Sequence, residues 1–143
     1  MAFRGTYEYT IDDRGRVPVP ARYREVFAAG VVLVEAEDGC VELYTAAGYE
    51  EEAAFLTRQR AHRKRSRRLR RGFFGRSMDA DMDRQGRVLL PPRFRQHGDL
   101  NGAVIVVGRG ECLEVWNPAR WEAERALVDQ EFGAALESLE ERQ

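Results

Sequence analysis

Asp12-Asp13-Arg14-Gly15-Arg16-Val17 returns later in the chain as Asp83-Arg84-Gln85-Gly86-Arg87-Val88, and the correspondence continues beyond the turn. Pro20, Arg22 and Arg24 recur as Pro91, Arg93 and Arg95, while Val19 answers to Leu90 and Tyr23 to Phe94. After one extra residue in the second copy the match resumes. Val32, Val34, Cys40, Glu42, Tyr44, Tyr49 and Glu50 then align with Val104, Val106, Cys112, Glu114, Trp116, Trp121 and Glu122. A duplicated unit is the direct reading. Its best-kept stretch is a charged turn rather than the core. A turn needs only a glycine to close, so Gly15 and Gly86 account for the reversal. The retained pairs Asp12 with Arg16 and Asp83 with Arg87 point to a further role.

Outward from the turn, residues 7–10 read as a strand, 12–16 as a tight turn and 17–19 as the returning strand. Pro20 opens a short helix over 21–27, because a proline at the first helical position gives up an N–H that would be unpaired anyway. Residues 31–34 and 41–44 form a hairpin about Asp38-Gly39, and Gly108-Arg109-Gly110-Glu111 is the equivalent turn of the second copy. A helix follows each hairpin, capped by Thr45 in the first copy and by Asn117 with Pro118 in the second. The first is expected to turn Tyr49, Ala53 and Leu56 inward before an arginine-rich linker that ends at Gly72-Phe73-Phe74-Gly75. In the last helix Trp121, Val128, Phe132, Ala135, Leu136 and Leu139 share one face at helical spacing. The expected divisions are a first unit at 1–50, a helix and basic linker at 51–77, a second unit at 78–121 and a C-terminal helix at 122–143. Each unit has only about fifty residues of strand and turn, near the lower limit for an independent core, so the two should share one.

The net charge of −1 hides a strong asymmetry. Arg58, Arg60, Arg63, Lys64, Arg65, Arg67, Arg68, Arg70, Arg71 and Arg76 occur with no acid among them. From Glu122 onward the excess is acidic, with Glu124, Asp129, Glu131, Glu137, Glu140 and Glu141 against Arg125 and Arg142. A basic field of this kind suits a polyanion or the acidic helix of a neighbouring subunit. Equally, it suits a solvated helix face. Cys40 and Cys112 precede equivalent strands and read as packing residues. The start of the chain lacks an apolar signal core, and no apolar run approaches the ~20 residues of a membrane span. These features lead to the expectation of a soluble, intracellular protein.

Catalysis has little to draw on. His62 and His97 have no equivalents in the opposite copies, adjoin no nucleophile, and read as ordinary surface residues. No phosphate loop, dinucleotide fingerprint or zinc spacing is present, so no enzyme activity, metal, cofactor or small-molecule substrate is expected. The arginines form the better constellation. In each copy the turn arginine (Arg16, Arg87) and the pair beyond it (Arg22 and Arg24; Arg93 and Arg95) flank one short strand and could converge on one face. Guanidinium groups grip phosphates and read guanine edges with two hydrogen bonds. An internal bridge from Asp12 to Arg16, or Asp83 to Arg87, is the plain alternative, and it is compatible with binding because it fixes the arginine's rotamer.

Together these residues resemble the MraZ family. The resemblance rests on Met1 with Phe3-Arg4-Gly5, the two Asp-x-x-x-Arg turns, Pro20-Ala21-Arg22-Tyr23-Arg24-Glu25, Arg71 with Phe73-Phe74, Val107-Gly108, and Glu114-Val115-Trp116-Asn117 with Trp121. It implies an α+β fold of two tandem AbrB-like swapped-hairpin units sharing a pseudo-twofold core, with a long helix after each. It also implies a cytoplasmic, nucleoid-associated transcriptional regulator, a ring-like homo-oligomer that binds duplex DNA at promoter direct repeats of its own division and cell-wall gene cluster. By position, the family's DNA-contacting signature falls on residues 12–16 and 83–87, with Arg16 and Arg87 foremost. Joined with the flanking arginines read above, the expected DNA-binding set is Arg14, Arg16, Arg22, Arg24, Arg84, Arg87, Arg93 and Arg95, with Asp12, Gly15, Asp83 and Gly86 shaping the turns. An RNA-binding scaffold and an antitoxin-like regulator of the same fold are the rival readings.

Overall fold

The computed structural model describes residues 2–58 and 62–139. Arg60, Glu140, Glu141, Arg142 and Met1 lie outside them. The strands are β1 (Thr6–Ile11), β2 (Arg16–Pro18), β3 (Val31–Glu35), β4 (Val41–Thr45), β5 (Ser77–Ala80), β6 (Arg87–Leu89), β7 (Gly102–Gly108) and β8 (Leu113–Trp116). The helices are α1 (Ala46–Thr57), α2 (Arg63–Gly75), α3 (Pro92–Gly98) and α4 (Pro118–Glu137).

Six strands form one antiparallel sheet in the order β1-β7-β8-β4-β3-β5, and β2 with β6 makes a separate two-stranded ribbon. The first and second halves exchange their leading strands. β1 pairs with β7, Thr6 facing Val107, and β5 pairs with β3, Met78 facing Leu33. At the centre, Glu42 of β4 lies opposite its repeat equivalent Glu114 of β8, and in the ribbon Val17 lies opposite its equivalent Val88. A pseudo-twofold axis therefore passes through both pairs. The swapped, tandem α+β architecture implied by the resemblance is present.

Alternation along the strands sorts the core. Val41, Leu43, Leu113 and Val115 join Val17, Val19, Phe27, Val88, Leu90 and Phe94 in a main cluster contributed by both halves. The opposite sheet face carries two smaller clusters. In one, Val32, Val34 and Tyr44 pack beneath Tyr49 and Ala53 of α1, with Phe73 of α2 against them. The other gathers Ala36, Cys40 and Trp116, with Trp121 of α4 alongside.

Three local expectations change. Residues 17–19 do not return beside β1, because their hydrogen-bonding partner is β6 of the other half. The first short helix is a pair of 3-10 turns, Ala21–Tyr23 and Glu25–Phe27, whereas its counterpart α3 is a regular helical turn ended by Asp99 in the left-handed region. The arginine-rich segment is a helix rather than a plain linker. His62 caps it, its Nδ1 accepting from Lys64 N at 3.2 Å, and Tyr49 stacks on Phe73 with ring centroids 5.0 Å apart. Thr45 and Asn117 cap α1 and α4 as expected, and Asn117 Oδ1 accepts from both Ala119 N and Arg120 N. Tyr49 and Ala53 are buried, with Leu56 half-buried.

Candidate nucleic-acid interface

The two turns are built alike. Asp12 Oδ1 accepts from Arg14 N at 3.0 Å and from Arg16 N at 2.9 Å, while Oδ2 accepts from Arg16 Nε at 2.6 Å. In the second turn Asp83 Oδ1 accepts from Gln85 N and Arg87 N, and Oδ2 accepts from Arg87 Nε at 2.9 Å. Backbone N–H donors, with the arginine contributing, hold both carboxyls below the usual aspartate range. Arg87 Nη1 also lies 3.8 Å from Asp12 Oδ2, so the turns of the two copies meet. Fastening each arginine through Nε leaves the far edge of its guanidinium to face a ligand, the edge that makes paired hydrogen bonds.

Strand alternation aims these side chains. Val17 and Val88 point into the core and are fully buried, so Arg16, Pro18, Arg87 and Leu89 take the outward face of the ribbon. Across that face Arg16 stands opposite Leu89, and Pro18 opposite Arg87. Arg14 and Arg84 are exposed at the tips of the flanking turns.

The remaining arginines separate from this group. Arg24 donates from Nε to Val19 O at 3.0 Å and lies against Gly86 of the opposite copy, while Arg95 lies against Gly15. The ribbon is tied across at the same points, with Val19 N donating to Gly86 O and Leu90 N to Gly15 O, each at 2.8 Å. Gly15 and Gly86 have φ of 88° and 77°, and a Cβ on either would strike the arginine resting on it. Arg24 and Arg95 therefore clasp the opposite turns. Arg95 Nε is buried without a partner among the described residues. Arg93 is drawn to the other side, pairing with Glu35, donating to Gly75 O and covering the Phe94 ring. Arg22 is exposed, with its guanidinium 5.6 Å from the Tyr23 ring centre. Of the six arginines expected to converge, Arg16 and Arg87 share the outward face of the ribbon, and the flanking pairs do not join them there.

One histidine departs from the surface reading and the other keeps to it. His97 Nε2 lies 2.6 Å from Ala36 O, with Nδ1 3.7 Å from Glu35, whereas His62 is exposed at the cap of α2. Both cysteines are buried free thiols, and burial pushes each thiol up from its ordinary range. Among the described residues no group of acids, histidines and cysteines could hold a metal ion, and no helix is long and apolar enough to cross a membrane.

One polar cluster escaped the sequence reading. On the face of the sheet away from the ribbon, Arg109 donates from Nη1 to Glu42 at 2.5 Å and to Glu114 at 2.9 Å, and from Nη2 to Tyr44 Oη at 3.2 Å. Trp116 Nε1 donates to the second oxygen of Glu114 at 2.9 Å. A single cation thus serves two repeat-equivalent carboxylates at the pseudo-twofold axis. Burial pushes the Glu42 carboxyl above its usual range despite Arg109. The repeated glutamates and the unrepeated arginine were the available signal.

A family model described as "MraZ protein, putative antitoxin-like" matches twice, over residues 2–72 and 73–139. A protein of Roseiflexus castenholzii named "Transcriptional regulator MraZ" is 32% identical over 139 residues, spanning 97% of each chain. One of the same name from Moorella thermoacetica is 34% identical over 96% of each chain, and one from Thiobacillus denitrificans is 42% identical over 87% of this chain and 86% of its own. Two matches in tandem, and relatives that align over most of their length and of this chain, place this chain in the MraZ family.

Proposed function

We propose that this chain is a transcriptional regulator that binds duplex DNA by laying the β2/β6 ribbon in the major groove. The carrying observation is the pair Arg16 and Arg87, partly buried on the outward face of the ribbon and each held through Nε by its own aspartate. A two-stranded ribbon fits a major groove, and arginine is the residue that reads guanine there. Arg14 and Arg84 at the turn tips reach phosphates, which position the ribbon without specifying sequence. Arg22, exposed beside the ribbon, adds to the same field. Arg24 and Arg95 act by holding the opposite turns. The target follows from the resemblance: direct repeats in the promoter of the chain's own division and cell-wall cluster, on the nucleoid.

Replacing Arg16 with alanine should cost ~1–3 kcal/mol on the specific site and much less on random duplex. Equal losses on both would remove base reading from Arg16. Neutralising Arg67, Arg68, Arg70 and Arg71, all exposed on α2, should instead weaken both duplexes alike and flatten the salt dependence. Fluorescence anisotropy across a salt series separates the two behaviours, and an unchanged slope would take α2 out of the interface.

Binding through one small ribbon is weak, so affinity is expected from several chains acting on several repeats. The bare face of α4 supports this part of the reading. From Arg125 to Leu139 every residue is exposed, including Leu127, Val128, Phe132, Leu136 and Leu139. Phe132 is 61% exposed, an unfavourable state for a ring with no apolar cover. The acidic side chains of α4 complement the basic surface of α2, which suits head-to-tail contact and closure into a ring. Phe132→Asp combined with Leu136→Asp should reduce the particle to small species in light scattering while the circular dichroism spectrum is kept. An unchanged mass would exclude α4 from assembly. The antitoxin-like reading draws on the same bare stripe, with a foreign protein as its cover. Under that reading the wild-type chain alone would scatter as a monomer.

A further inference from the structure

The pseudo-twofold axis through Val17 and Val88 makes Arg16 equivalent to Arg87, but on the same outward face it makes Pro18 equivalent to Leu89. The arginines are symmetric and the apolar positions are not. Leu89 is 50% exposed at the end of β6, beside the two turn arginines, while the valine before it and the leucine after it are fully buried. It stands directly across from Arg16 and two residues along the strand from Arg87. Those separations are about 5 Å across a strand pair and about 6.7 Å along a strand. A base reader at each arginine therefore brings Leu89 to a base edge within about two steps of both, since successive base pairs are about 3.4 Å apart.

Polar atoms line the floor of a major groove, with one apolar exception, the C5-methyl group of thymine. We infer that Leu89 packs on a thymine methyl between the bases read by Arg16 and Arg87, and so gives the site a direction. This rests on the DNA-reading proposal and deepens it. Proline at the equivalent position is shorter and half-buried, so turning the site around would set the methyl against Pro18 and lose the contact. A chain with a nearly symmetric ribbon thereby distinguishes the two orientations of its site. Leu89 is a specificity residue in this account, and the arginines supply most of the grip.

The test uses the full chain and a duplex selected by it from a random-sequence pool. Each thymine is replaced in turn by deoxyuridine, which removes the methyl group alone, and Kd is measured for the wild type, Leu89→Ala and Leu89→Ser. One thymine should stand out, its methyl worth about three- to fivefold to the wild type, the usual value of a buried methyl-sized group, and nothing to either variant. Substitution at half-exposed Leu89 leaves the core intact, which circular dichroism checks. Equal responses of wild type and variants at every thymine, or a selected site with no thymine between the arginine-read bases, overturn the inference. Arg16→Ala and Arg87→Ala on the same duplex separate the two levels. If these variants lose sequence preference while no thymine couples to Leu89, DNA reading stands and the methyl contact falls. If they bind as the wild type does, both fall.

Discussion

A single methyl group added at Gly108 should remove about 3 kcal/mol or more of stability, on the scale of a large core truncation. A Cβ there would lie 2.5 Å from both Arg4 Cα and Phe3 C, and closer still to Arg4 N. All three are backbone atoms, so no rotamer change relieves the clash. The N-terminal segment would have to leave the end of β7 and the turn after it, to which it is joined by Gly108 N donating to Gly5 O and by a reciprocal pair of bonds between Phe3 and Gly110, each at 2.9 Å. Phe3 would leave with it. Its ring is buried between Tyr23, edge-on at 4.9 Å, and Phe27, stacked at 5.4 Å. The Tyr23 hydroxyl would also lose Arg4, whose N donates to it at 3.0 Å. Urea unfolding measures the effect, and Phe3→Ala should reproduce most of it. Because both changes remove one contact, the double variant should fall well short of the sum. A Gly108→Ala protein within about 0.5 kcal/mol of wild type, the range of a neutral surface change, would show that the segment shifts without loss.

Arg109→Met should destabilise by roughly 2 kcal/mol at neutral pH, and the loss should shrink in acid. Breaking a fully buried pair leaves an uncompensated charge worth about 3–5 kcal/mol. The side chain of Arg109 is 39% exposed, so solvent screening reduces that figure. The direction with pH follows from Glu42. Burial raises its folded-state carboxyl above the unfolded value, and Arg109 is the strongest opposing influence. Removing the arginine raises it further. A raised acid penalises folding once the unfolded chain ionises, near pH 4.3, and the penalty is complete when pH passes the folded-state value. The deficit of the variant should therefore be small at pH 4 and larger at pH 8. Unfolding curves at the two pH values check this, and Glu42→Gln added to the variant should relieve it. A deficit equal at both would mean that Arg109 acts through packing alone.

Much of the architecture was legible because the same local physics is written twice. Thr45 and Asn117 sit where a helix needs an acceptor for its first N–H groups, and the glycines of the turns sit where φ is positive. Strand exchange is less visible in the residues themselves. Alternation says that 17–19 has one buried face, but carries no information on whether its partner is ten residues away or seventy. The turn closes locally through Asp12 N to Arg16 O, which makes a simple hairpin look sufficient, and only the resemblance supplied the swap. Similarly, the arginines had equal standing in sequence. Arg24 and Arg95 take their positions from glycines of the opposite copy, a long-range contact with no local signature. The helix α2 was read as linker because it lost its apolar face, although arginine and leucine are good helix formers and Phe73 still anchors it. Arg109 stands where the register of the repeat puts Glu37, and a break in an otherwise kept pattern was the mark of the buried cluster.

The exchange of β1 and β5 also sets the order in which this protein can be made. Thr6 waits for Val107, and Val17 for Val88, so a ribosome must synthesise most of the second unit before β1 or β2 has its partner, whereas β5 meets a β3 already made. Until then the emerging first half carries an unfinished sheet edge and half a core. Non-local pairing of this kind slows folding and lengthens the time during which nascent chains on one message can pair with one another instead. Two half-made neighbours hold, between them, the same equivalent strands that one finished chain contains. Joining both copies in a single polypeptide raises the local concentration of the correct partner as soon as it appears, and so turns a race between molecules into an event within one.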